Sequence, residues 1–430
     1  MHNAPADVRE CSGRPRPDPL PQEQQPTTQD TSLPLRSEGR FRRLWTVGLV
    51  SSLIRWIDVL AFSLVTYEQT KSAFWVASMM MLRMLPLALF GIVFGAVAAR
   101  FSRRAGLLWC QSLLMATTLA LLLLSLLGAL EVWHLAIAAF ISGVVWSGDM
   151  PMRRGFMGDV VGASRMGRAM ALDAVANNGS RLAGPSLGGL LLAWGGMPVV
   201  LVVDALLYVV VLAALLGLPK PVPTTRDRGS PRAALSALWR SFGVLNEMPL
   251  LRAILCNTMI FNIFCWPSVS MIPVIAQERL NLGTEGTGLL ASMDGLGSLL
   301  GALLLTSLSH RLRHGPLYLG GTILFLVMLP LFAMSGQPLL SALFLVGLGA
   351  GQGAFAVMQS TLVFLAARPE QRAAAMGMVT TCIGIAPVGF LLVGWLAEHL
   401  GAPGAAMACA AGGFAALALT WPIWKPCLAR

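Results

Sequence analysis

From Leu44 to Trp424 the chain is a succession of apolar blocks separated by short polar or Gly- and Pro-containing breaks. Several blocks exceed the ~20 residues a helix needs to cross a ~30 Å hydrocarbon core. The breaks place twelve expected spans at about 44–66, 74–98, 106–130, 133–152, 169–194, 198–218, 250–275, 286–308, 315–335, 338–365, 372–396 and 401–424. Connections such as GGMP at 195–198 and SGQP at 335–338 are so short that consecutive helices must be antiparallel neighbours. Two stretches break the pattern. Residues 1–43 are rich in Pro, Gln, Ser and Thr, cannot build a core, and read as a disordered leader. They hold no apolar centre of a signal peptide, so the leader is expected to stay attached. Residues 219–249 separate six spans from six, and RAALSALWRSFGVL within them reads as a short amphipathic surface helix. The expected organisation is thus a leader 1–43, a six-helix bundle 44–218, a linker 219–249, a second bundle 250–424 and a tail 425–430.

Composition agrees with this pattern. Of 430 residues, 56% are apolar and 12% charged, and the mean hydropathy is +0.69. An ordinary soluble domain carries about 25% charge, so the chain reads as an all-α polytopic membrane protein with no room for a soluble catalytic domain. A net charge of +11 would suggest nucleic-acid binding in a soluble chain. With the amino terminus inside, however, 26 Lys and Arg fall on the tails and even-numbered connections, whereas the outer connections carry only Lys71 and Arg279. Counting acids as well, the inside is +16 and the outside −3. The positive-inside rule turns the basic charge into an orientation signal, with both termini cytoplasmic and no nucleic-acid partner.

Enzyme chemistry has no support. The seven cysteines are scattered without CxxC or metal spacing and read as small packing residues. No phosphate-cradling Gly-Lys loop occurs, and the five histidines lie in the leader or at span ends, so neither metal nor cofactor is expected.

The halves echo one another. RAMALDAV followed by GPSLGG (184–189) in span five is answered by RAAAMGMV followed by APVG (386–389) in span eleven. Six-plus-six repeats are what many secondary transporters are built from. With FRRLW at 41–45, TKSAFWVA at 70–77, RMLPLALFGIVFGAVAARFSRR at 83–104 and PEQRAAAMGMV at 369–379, the chain resembles the major facilitator superfamily over about 40–424. The likeness is greatest to the bacterial exporter branch that includes enterobactin exporters and macrolide efflux proteins. The resemblance implies the major facilitator fold, twelve helices in two pseudo-symmetric halves, as a monomer in the bacterial inner membrane. It also implies a central cavity lined mainly by spans one, four, seven and ten, and a moving interface of spans two, five, eight and eleven. The family loop after span two usually reads Gly-x-x-x-Asp-Arg-x-x-Arg-Arg; here Gly95, Arg100, Arg103 and Arg104 match, but Ala99 stands at the Asp. That substitution implies a weaker cytoplasmic latch, or one that uses another acid. Gly184, Pro185, Gly188 and Gly189 match the antiporter motif of span five, and Pro387 its counterpart in span eleven; they imply close helix packing or bending.

Ionisable groups within the spans carry the candidate chemistry, because each costs at least ~2.5–3.5 kcal/mol near the bilayer centre. Asp58 matches the family's acid in span one, and Asp294 is the best carboxylate of the second half; both are candidates for proton coupling. Arg55 is three residues from Asp58 on one helical face and so is a candidate ion-pair partner or a substrate ligand. Arg181, near mid-depth of span five, is a candidate ligand for a polar oxygen or a partner of Asp58, Asp149 or Asp204. Arg83 and Asp204 read as structural. Asp149 and Arg153 are candidates for a cytoplasmic gate. Asn257, Asn262, Gln352 and Gln359 are candidate substrate contacts, with interhelical hydrogen bonding the alternative, and Trp266 with Phe264 is a candidate apolar wall. The resulting expectation is a proton-coupled exporter of a small amphiphilic molecule, siderophore-like or drug-like. Alternatives are a lysophospholipid flippase or other importer of the superfamily, and a transport-inactive receptor or scaffold.

Overall fold

The computed structural model of the chain describes residues 38–98, 102–218, 248–308, 313–367 and 371–428. Among these the secondary structure is helical throughout. Span one is Gly39–Thr70, span two Ala73–Ala98, span three Arg103–Leu126 and span four Val132–Val161. Spans five and six run together as Met166–Leu216 but part at Gly195 and Gly196, the latter at φ 67°, in the expected GGMP break. The second half continues with span eight at Thr284–Leu308, span nine at His314–Met334 and span ten at Pro338–Ala366. Residues 1–37 of the expected leader, most of the linker and the end of the tail lie outside the described residues; the last residues of that leader, from Gly39, are instead the first turn of span one.

Spans seven and eleven depart from the uniform helices expected. Span seven is α-helical over Pro249–Ile260, widens to a π turn over Phe261–Cys265, tightens to 3-10 over Trp266–Met271 and resumes as α over Ile272–Glu278. Pro267 is the physical cause: it has no N–H to give the carbonyl a turn earlier, so the ladder shifts and Trp266 N–H reaches Phe261 O instead. The carbonyls of Asn262 and Ile263 then face Gly389 of span eleven, where a Cβ would come within 2.7 and 2.6 Å of them. Span eleven is split into Arg372–Ile383 and a second helix beginning at Ala386, with Pro387 in its first turn. That second helix, Ala386–Leu419, also contains span twelve, divided from eleven at Gly401 with φ 73°.

Each half has its own packing. Span one lies along spans five and six, two along four, and three against four and six; in the second half eight packs on ten and nine on ten and twelve. The halves meet along spans five and eight and along two and eleven. Small residues make the first contact possible: a Cβ on Gly288 would lie 2.5 Å from Pro185 O, and one on Gly295 2.6 Å from Arg181 O. Gly184 and Gly188 press instead against span one at Trp56 and Ile57. The helix continues through Pro185, and these residues are closely packed in this structure.

Candidate functional site

Span five carries Arg181 into the contact between the halves, where its Nη2 donates both to Asp294 of span eight and, at 2.6 Å, to Gln352 of span ten. Neither half alone holds this cluster. Asp294 was one of the acids picked out by charge, but it is Arg181's partner in place of Asp58, Asp149 or Asp204. Arg181 also lies 5.3 Å from the ring of Trp56. Arg181 and Asp294 are buried, yet Arg181 Nε and Asp294 Oδ1 have no hydrogen-bond partner.

These two side chains form the polar edge of a cavity of about 590 Å³ between the halves, part of it open. Its other walls are mainly apolar, with Trp56, Val59 and Leu60 of span one, Met80 of span two, Trp266 and Val269 of span seven and Phe390 of span eleven, interrupted by Ser63 and Ser270. Trp266 meets Phe390 edge to face at 5.6 Å. The lining comes from spans one, two, five, seven, eight and eleven, so the expectation that spans four and ten line it does not hold for this cavity. Gln352 is held by Arg181, and Trp146 of span four packs on the cluster of Met84, Ala386 and Phe390 with the guanidinium of Arg55 5.4 Å from its ring. Phe264 also leaves the wall, packing on Gly412 of span twelve.

The seal lies to one side of this level. Besides the Arg181 cluster, the hydrogen bonds joining the halves among the described residues are Ser186 to Ser292 at 2.7 Å, Tyr67 to Glu278, and Ser72 to Glu398 at 2.9 Å. All lie toward the end of the bundle opposite Gly39 and Leu428, so the structure is closed at that end.

A second set of polar side chains lies inside the amino-terminal half. Asp58 is buried and makes side-chain contact with the carboxyl of Asp204 of span six, and it interacts with the charge of Arg83 of span two. Arg55 forms no ion pair with Asp58 despite the three-residue spacing; it donates to Ser52 at 3.2 Å, and its carbonyl accepts from Arg83. Toward the inner end, Gln111 donates to Asp149 at 2.9 Å, and Arg153 bonds Asp173 and stands 3.6 Å from Asp149. The expected link of Asp149 with Arg153 is therefore present, with Asp173 and Gln111 added to it. Arg103 pairs with Asp159, and Arg104 caps the carbonyls of Leu215 and Leu216. Gly95 falls in the last turns of span two, and Arg100 lies outside the described residues.

The remaining candidates sit inside the second half, away from the cavity. Asn257 donates to Thr322 at 3.0 Å, Asn262 to the Thr258 carbonyl at 2.8 Å, and Gln359 to the Thr258 hydroxyl at 2.7 Å. These are interhelical or in-helix bonds, the alternative weighed for each. Asp204, Gln111 and Tyr208 are the residues sequence reasoning passed over as site members; a lone acid in the apolar run of span six was the one available signal.

A family model described as transmembrane secretion effector matches residues 30–426. The uncharacterized MFS-type transporter YfiS of Bacillus subtilis (strain 168) is 24% identical over 332 residues, covering 75% of this chain and 76% of its own. Among solved structures, the nucleoside transporter NupG superposes with a TM-score of 0.70 at 12% identity, over 90% of this chain and 99% of its own. A D-xylose–proton symporter gives 0.68 at 14%, over 90% and 97%. A bacterial homolog of the human lysosomal transporter Spinster, inward-facing and unoccupied, gives 0.66 at 16%, over 91% and 96%.

Proposed function

The chain belongs to the major facilitator superfamily, within its transmembrane secretion effector family, and from that premise we propose that it exports a small amphiphilic organic molecule in exchange for protons. It is a multi-pass membrane transporter, not an enzyme. On this reading it works as a monomer in a bacterial inner membrane with both termini in the cytoplasm, the side favoured by its +16 charge. The two halves rock about the level of Arg181, alternately opening the cavity to either face.

The observation that carries the reading is the cavity itself. It lies between the halves, is walled largely by aromatic and aliphatic side chains, and is edged by the Arg181–Asp294 pair, in which one guanidinium nitrogen and one carboxylate oxygen are buried without a hydrogen-bond partner. A cargo with an apolar body and a head that both donates and accepts fits these groups. Because Arg181 is already neutralised by Asp294, the cavity presents no uncompensated cation, and the buried Arg55 and Arg83 do not line it. That favours an uncharged or dipolar, drug-like amphiphile over an anionic siderophore. Such a head group competes with the Arg181–Asp294 contact, loosening a charged link between the halves at mid-depth. Asp58 is the proton carrier in this scheme, and Asp294 takes a proton when cargo holds Arg181.

Inverted membrane vesicles energised by a proton gradient test the proposal, with Nile red and ethidium as uncharged and cationic probes and a catecholate siderophore as the anionic one. Gradient-driven entry of the uncharged dye, lost in Arg181→Ala and Asp58→Asn, is the expected result. Entry of the siderophore alone would overturn the assignment of cargo, and accumulation by intact cells in place of efflux would make the protein an importer.

A further inference from the structure

We infer that Asp58 and Asp204 hold one transferable proton between them, and that it reaches them through a polar compartment inside the amino-terminal half, separate from the cargo cavity. The inference rests on the proton-coupled reading above and gives Asp204 a part in it.

Asp204 has 0% exposure, and neither of its carboxyl oxygens receives a hydrogen bond. An ionised carboxylate sealed from water with no donor is among the costliest arrangements a protein can contain. Its contact with the Asp58 carboxyl resolves this if one proton lies between the two, supplying the missing donor. The groups facing the pair are Arg83 from span two, Tyr208 from span six, Arg55 from span one and, across the compartment, Asp149 from span four. Arg83 offsets the negative charge left when the proton departs.

Asp58 also borders a partly open cleft whose lining comes wholly from the amino-terminal half, Ser51, Arg55, Gln111, Ser142 and Asp149 among others. Its inner wall leads onward. Ser51 donates to Gln111, Gln111 to Asp149, and Arg153 links Asp149 to Asp173, which reaches the 44% exposed Arg154 at 3.9 Å. A run of polar groups thus extends from the pair toward the end of the bundle that bears Gly39. No residue lines both this cleft and the cargo cavity: span one turns Arg55 and Asp58 to the cleft, and Trp56, Val59 and Leu60 to the cargo side. Proton and cargo therefore need not occupy the same space, and their exchange is coupled through span one, whose Trp56 and Ile57 abut Gly184 and Gly188.

Dicyclohexylcarbodiimide is the probe. The O–H of an uncharged carboxyl adds across one of its C=N bonds, giving an O-acylisourea that rearranges to a stable N-acylurea, with no other reagent needed. In the purified full chain in lipid nanodiscs, peptide mass spectrometry is expected to find the adduct on Asp58 or Asp204, fading as pH is raised. Asp204→Asn should cut labelling of Asp58 at least tenfold, while Asp204→Glu retains it. Undiminished labelling of Asp58 in Asp204→Asn, or no adduct on either residue in the native chain, overturns the shared proton. A second arm leaves the pair intact: S142C, in a chain whose native cysteines are replaced by Ser, should react with a charged methanethiosulfonate from the face bearing the termini. Reaction only from the opposite face, or none, overturns the compartment. Neither arm needs a transported molecule. A native protein that labels as expected, yet moves no dye under a pH gradient, would sink proton coupling and leave the carboxyl pair standing.

Discussion

Arg181 illustrates how a charge is kept in the middle of an apolar span: its partner comes from the other half of the protein. Breaking a buried pair by removing one member costs roughly 3–5 kcal/mol, because the survivor is left uncompensated, whereas replacing both by apolar groups is often neutral. Asp294→Ala should therefore lower the thermal unfolding midpoint in detergent sharply, and the double variant Arg181→Met with Asp294→Leu should regain most of it while remaining unable to transport dye. A double variant as unstable as the single one would mean that the cluster's hydrogen bonds, including that to Gln352, matter more than its charge balance. Much of this scale was legible in advance. Asp58, Arg181 and Asp294 stand out in a linear sequence because apolar runs leave few charges to choose from. Their partners were not legible, since Arg181 and Asp294 are 113 positions apart. The Arg55–Asp58 spacing misled for a related reason: proximity along a helix does not decide which way two long side chains turn, and Arg55 turns to Ser52 and Trp146.

At the level of helices, the breaks at Gly196 and Gly401 and the order of twelve spans follow from sequence because Gly and Pro interrupt apolar runs where the chain must reverse. The distortion of span seven was hidden, since Pro267 alone does not say whether a helix kinks, ends or shifts its ladder. Pro267→Ala restores the missing N–H, so the ladder can close again and the carbonyls of Asn262 and Ile263 can withdraw from Gly389. The expected outcome is a protein at least as stable as the native one, with slower dye transport, because the site-facing Trp266 and its contact with Phe390 depend on the shifted register. Equal transport rates in reconstituted vesicles would show that the π turn is incidental. Gly288→Val tests the opposite side of the cavity. Its side chain would begin 2.5 Å from Pro185 O, and forcing bulk into so close an approach costs about 1–3 kcal/mol. Spans five and eight must then separate at the sealed end, which raises access of a polar thiol reagent to S63C, a cavity-wall position, from that side.

For the molecule as a whole, the question is what holds one end shut. Between the halves, the charged hydrogen bonds at that end are Tyr67 to Glu278 and Ser72 to Glu398, with the glycine contacts of spans five and eight beneath them. A hydrogen bond to a charged group contributes about 1.5–3 kcal/mol, and every 1.4 kcal/mol is a factor of ten in an equilibrium. If opening at this end requires the Tyr67 bond to break while Glu278 regains water, Tyr67→Phe should raise the population open at that end about tenfold. Ser63 lines the cavity, so the rate at which S63C reacts with an impermeant thiol reagent applied from the side opposite the termini reports that population. The reaction should run about ten times faster in Tyr67→Phe than in S63C alone, and adding Ser72→Ala should raise it further. An unchanged rate would place the barrier in the packing of spans five and eight. In that case Gly288→Val, and not Tyr67→Phe, would be the variant that opens the protein, because helix contact and not the polar seal would set the balance between its two faces.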